Sequence, residues 1–176
     1  MRAKTSWVLG LLLWAGMAHG EETMKITSTS FAAGQPIPAK FTCTGEDVSP
    51  ALQWAGAPAG TKSFALICDD PDALSVAGKV WVHWVVWNIP ATATNLAEDA
   101  SKADAKLPQG LTDFGRTGYG GPCPPPKHGV HHYHFKLYAL DAELTLPAKA
   151  TKKQLEEAMK GHVLAQAEVL GTFERK

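Results

Sequence analysis

The sequence predicts a mostly β protein, an antiparallel β-sandwich, and two observations carry that reading. Short runs of β-type residues, Met24 to Thr29, Ala51 to Trp54, Ser63 to Cys68, Val80 to Ile89 and His131 to Leu140, are separated by turn residues at close intervals. Such spacing suits antiparallel strands rather than strands alternating with helices. Only one segment carries a full set of helix signals, and it lies late in the chain. No internal repeat and no long linker interrupts residues 21–176, which read as a single domain.

Residues 1–20 read as an address. Arg2 and Lys4 open the chain, Trp7 to Gly16 is apolar and uncharged, and Ala18-His19-Gly20 sets small residues where a signal peptidase cuts. The apolar run is shorter than the roughly 20 residues of a bilayer span. Cleavage after Gly20 leaves 156 residues, enough for one domain with a real core, in the periplasm or outside the cell. Without Arg2 and Lys4, the 17 basic residues fall to 15 against 17 acidic, a net −2. Neither a nucleic-acid partner nor a polybasic membrane contact is suggested by that balance.

Each β-type run also assigns faces, because strand side chains alternate. Phe64, Leu66, Cys68 and Asp70 fall on one side. In Val80 to Ile89, the residues Trp81, His83, Val85 and Trp87 are expected to share a face. In the last run, His131, Tyr133, Phe135 and Leu137 point inward while His132, His134 and Lys136 point outward. Three inward faces therefore carry polar groups at or near strand ends: Asp70, His83, and His131 with Tyr133. A buried polar group without a partner costs a few kcal/mol, so convergence on one cleft would satisfy them together.

Between these runs, Thr92 to Gly121 is polar and glycine-rich and reads as long loops with a helical turn at most. Thr151 and Gln154 form a capping box, followed by Leu155, Ala158, Met159, His162 and Val163 at helical spacing. A C-terminal helix reaching Gly171 is expected. The odd number of cysteines allows at most one bridge. Cys43 and Cys123 sit in Gly/Pro-rich loops and are the expected pair, whereas Cys68 sits in an apolar strand. No CxxC occurs, so no structural zinc site is expected, and alternation separates His131 from His132 and His134.

Several motifs, in order, resemble the phosphatidylethanolamine-binding protein family, in its bacterial Raf kinase inhibitor-like branch. They are Phe41 to Trp54, Asp69-Asp70-Pro71-Asp72-Ala73, Trp81 to Pro90, Gly118 to Pro125, Gly129-Val130-His131-His132-Tyr133 and Gly161 to Ala165. The resemblance implies a Greek-key sandwich with peripheral helices, one of them formed by Gly161 to Ala165 near the C-terminus. It also implies a pocket lined by Asp70, His83, Gly121, Pro122, Pro124, Pro125, His131 and Tyr133. That pocket would hold a phosphate-like or carboxylate anion, including the phosphoethanolamine head group, with no cofactor. Backbone N–H groups of Gly118 to Gly121 would help to cradle it.

Three positions depart from the family pattern: Leu74 where proline is usual, His132 for arginine, and an insertion-like Pro126-Lys127-His128. Two other function classes compete with anion binding. One is an inhibitor of a protease or other protein partner with a vestigial pocket. The other is a weak hydrolase, although no motif places a nucleophile.

Overall fold

A computed structural model describes residues 23–176, so the signal-peptide reading of residues 1–20 lies outside the described residues. The smaller sheet contains β1 (Lys25–Ser28), β2 (Leu52–Ala55) and β5 (Asn95–Leu96), in the order β1-β2-β5. The larger contains β3 (Ser63–Asp70), β4 (Trp81–Pro90), β6 (Val130–Leu140) and β7 (Val163–Glu174), in the order β4-β3-β6-β7. Every strand pair is antiparallel. The chain crosses between the sheets after β2, β4 and β5, which gives the sandwich its Greek-key character. Among the described residues, three short α-helices, α1 (Leu74–Ala77), α2 (Ala100–Ala103) and α3 (Lys152–Met159), lie at the periphery.

The larger sheet is covered on both faces. Its inner face places Phe64, Leu66, Trp84, Phe135 and Leu137 against Leu52 and Trp54 of β2. On its outer face Ala65, Ile67, Val85 and Trp87 pack under Leu155 and Met159 of α3. All eight residues of β3 are buried, which explains why that run reads as continuously apolar rather than alternating. Beneath α3, Asp69 is almost fully buried and accepts from Lys136 Nζ at 2.9 and 3.1 Å and from Lys152 Nζ at 2.5 Å.

Two expectations need correction. The capping box forms as expected: Thr151 Oγ1 accepts from Gln154 N, and Gln154 Oε1 accepts from Thr151 N. The helix, however, stops at Met159. Gly161 takes a left-handed φ of 78°, and the chain turns back as β7 along β6. Val163 therefore starts a strand, and the motif Gly161 to Ala165 belongs to this turn and strand rather than to a C-terminal helix. In that strand Ala165, Ala167, Val169 and Phe173 face the core at a period of two.

The second correction concerns β4. Cys68 pairs with Trp84 but Asp69 pairs with Val82, which leaves His83 as the extra residue of a β-bulge. The bulge shifts the alternation. Val85 and Trp87 turn outward under α3, while Trp84 and Val86 join the inner core. The loop Thr92 to Gly121 holds only the two-residue β5 and one helical turn, α2, as long-loop chemistry suggested. The Cys43–Cys123 disulfide is present with Cα atoms 5.4 Å apart, and Cys68 is free and buried.

Candidate functional site

At one end of the larger sheet the ends of β3, β4 and β6 meet. Asp70 is the last residue of β3, His83 occupies the bulge of β4, and His131 is the second residue of β6. All three residues are buried, at 3%, 3% and 1% exposure respectively. They line a cleft of about 240 Å³ together with apolar residues including Val76, Ala77, Trp81 and Phe114 and the Pro124-Pro125 segment.

Asp70 is engaged on both oxygens. Its Oδ1 accepts from the N–H of Ala73 at 3.2 Å, which shapes the turn into α1. Its Oδ2 lies 2.7 Å from Nδ1 of His131. Since an ionised carboxylate only accepts, that imidazole nitrogen carries the proton. The other nitrogen of His131, Nε2, lies 2.9 Å from Nδ1 of His128. Both ring nitrogens of His131 are thus in use.

His83 is held differently. Its Nδ1 lies 2.6 Å from the carbonyl oxygen of Gly120, and its own carbonyl accepts from the Gly120 N–H at 2.9 Å. The carbonyl can only accept, so the proton sits on Nδ1, and Nε2 is an acceptor when the ring is neutral. Burial pushes the His83 pKa below the ordinary histidine value, against the opposing pull of the Gly120 carbonyl and Asp70. Edge contacts with Tyr133 at 5.1 Å and Phe114 at 5.4 Å between ring centroids fix the ring plane.

Not every residue expected at the pocket lines it. Asp70, His83, Pro124, Pro125 and His131 do. Gly121 and Pro122 lie behind the wall instead: the Gly121 N–H donates to Asp47 Oδ1 at 2.6 Å, and the Pro122 carbonyl accepts from Cys43 N at 3.1 Å. Tyr133 is fully buried beneath His83, its hydroxyl without a partner among the described residues, and burial pushes its pKa up.

The glycine loop does not present the row of donors expected of it. The N–H groups of Tyr119, Gly120 and Gly121 donate to Ser101 Oγ, the His83 carbonyl and Asp47 respectively. The glycines serve close approach. A Cβ on Gly120 would sit 2.4 Å from the Phe114 ring, and one on Gly121 2.4 Å from the Phe41 carbonyl.

With this geometry established, a family model described as phosphatidylethanolamine-binding protein matches residues 27–174. The chain belongs to that family. A UPF0098 protein of Aquifex aeolicus is 47% identical over 159 residues, 89% of this chain and 91% of the relative. The crystal structure of a phosphatidylethanolamine-binding protein homologue from Chlamydia trachomatis matches with a TM-score of 0.80 at 43% identity, covering 88% of this chain and 99% of that one. The carboxypeptidase Y inhibitor, solved in complex with its cognate proteinase, matches with a TM-score of 0.55 at 20% identity, covering 88% and 83%. At that identity the likeness is one of fold alone.

Within this phosphatidylethanolamine-binding protein fold, two features of the cleft, Phe114 and the His128 contact, lay beyond the sequence reading, whereas Cys123 is where the glycine-proline segment suggested. Phe114 reaches it from the long loop, and no local pattern marked that residue. Cys123 contributes to its wall through the disulfide segment. His128, visible only as part of an insertion-like stretch, bonds to His131. The outward His132 behaves as alternation predicts, its N–H and Nδ1 both meeting Asp72 Oδ2, at 2.8 and 2.7 Å.

Proposed function

We propose that this family member is an exported binding protein whose cleft takes a small anion of the phosphate or carboxylate type. Phosphoethanolamine is the reference ligand. The observation that carries the reading is the convergence of two buried imidazoles and one buried carboxylate, from three different strands, on a single cleft. Its volume suits a head group rather than a larger molecule. The export component rests on the sequence of residues 1–20.

The chemistry is specific about protons. Neutral His83 offers only a lone pair at Nε2, which repels an anion. An anion at that position therefore binds together with a proton, and the resulting charge-assisted hydrogen bond supplies the affinity. Asp70 does not oppose this strongly, because His131 already holds one of its oxygens. Its remaining lone pairs suit an amine, and phosphoethanolamine carries both charges. Covalent turnover has little support, since Cys123 is bridged to Cys43 and Cys68 is buried. A second reading, docking of a protein at the cleft mouth, draws on the exposure of Val76 (43%), which lines the cleft, and of Leu74 (59%) in the same helix α1.

The test is an NMR titration of the protein from Glu21 onward with phosphoethanolamine and with inorganic phosphate. Saturable shifts clustered on Asp70, Gly120 and His131, absent in His83→Ala, are the expected result. No shift with either compound at millimolar concentration would overturn the anion reading and leave the protein-docking one.

A further inference from the structure

We propose that His128 is the proton port of the cleft, an exposed ring through which the buried His131–Asp70 pair exchanges its proton with solvent. Three links carry the argument: Asp70 Oδ2 to His131 Nδ1 at 2.7 Å, His131 Nε2 to His128 Nδ1 at 2.9 Å, and His128 itself at the surface. The His131 side chain is 2% exposed and both of its ring nitrogens are already bonded, so neither nitrogen is open to water.

With Asp70 ionised and His131 neutral, the only arrangement that satisfies both bonds has His131 donating from Nδ1 and accepting at Nε2 from the His128 Nδ1–H. His128 Nε2 is then a bare lone pair on an exposed residue. A proton taken up there makes His128 an imidazolium. Its Nδ1 proton crosses to His131 Nε2, which leaves His128 neutral, with its proton now on Nε2. The hydrogen bond between the rings reverses direction, and the charge comes to rest on His131 beside the Asp70 carboxylate. One proton enters from water and one crosses to His131, so the count balances.

The loop is built to hold this geometry. Lys127 and Gly129, on either side of His128, take positive φ values of 62° and 97°. The His128 N–H donates to the Pro125 carbonyl at 3.2 Å within the loop, and the Lys127 N–H donates to the Arg175 carbonyl at 2.9 Å, tying the loop to the residue after β7. The two rings meet edge to face at 5.1 Å. Few charges face the pair. Asp70 lies beneath His131, and Asp72 is close by but engaged with His132. Lys127 adjoins His128, and the Arg175 guanidinium sits 3.9 Å from Cys123 Sγ.

The inference deepens the anion-site reading, because a charge on His131 draws an anion into the cleft, but its first test needs no ligand. Nitrogen-15 histidine spectra of the protein without added anion would compare wild type with His128→Phe and His128→Ala. Phenylalanine keeps a ring against His131 but has no nitrogen, so exchange with water of the proton that His131 Nε2 takes up on acidification should slow by about tenfold. Alanine opens Nε2 to water, so exchange should not slow. Unchanged exchange in His128→Phe would overturn the proposal. In a second arm, inorganic phosphate should bind His128→Phe about tenfold more weakly, with a shallower pH profile. If wild type binds no phosphate, the anion reading fails while the exchange arm still decides the role of His128.

Discussion

His83 meets two opposing demands. Burial disfavours its charged form, yet the anion proposed for the cleft requires that form. In the unfolded chain the ring takes up a proton at about pH 6.5. In the folded protein it does so only at lower pH, because burial outweighs the Gly120 carbonyl and Asp70. As pH falls through about 6.5 the unfolded chain therefore binds the extra proton first, and stability drops until the folded value is reached. Urea denaturation across this window should show a stability loss on acidification that is smaller in His83→Ala. Equal pH slopes in the two proteins would contradict the account. Asp70, His83 and His131 were legible in the sequence, since each is a polar residue in an apolar β-type run. The employment of the Gly121 N–H was not legible, because its acceptor, Asp47, lies 74 residues away in the chain.

Helix α3 and strand β7 show how far local signals reach. The start of the helix was readable because a capping box is a short-range hydrogen-bond pattern. Its end was not, because Val163 continues the helical stripe from Met159 and also opens a two-residue run with Ala165, Ala167 and Val169, and pairing with β6 decided between them. The bulge at His83 is likewise a property of the β3–β4 pair rather than of β4 alone. The α3 layer is further fastened through Asp69. Asp69→Asn should cost about 1–2 kcal/mol, because Lys136 and Lys152 still reach water and lose only charge-assisted bonds. The double change Lys136→Met with Lys152→Met strands a carboxylate that is 1% exposed and should cost about 3–5 kcal/mol. Urea denaturation at neutral pH reads both, and a smaller loss in the double variant would contradict this view of the triad.

Across the whole molecule, the sandwich brings to one sheet end three residues spread over 61 positions of sequence, from Asp70 to His131. The Cys43–Cys123 disulfide closes the same end across 80 residues, and Arg116 pairs there with Asp47 at 2.8 Å. Family motifs made the outline of this end visible in the sequence. The apolar wall given by Phe114 and the imidazole relay given by His128 depend on loops, whose course no strand periodicity records. The central claim is that the cleft binds an anion and a proton together. Calorimetry of phosphate binding in buffers of differing ionisation enthalpy, at pH values on either side of the ordinary histidine pKa, tests it most directly. The account predicts net proton uptake on binding, affinity that rises as pH falls, and loss of both in His83→Ala. Binding with no proton uptake and the same affinity at both pH values would contradict it.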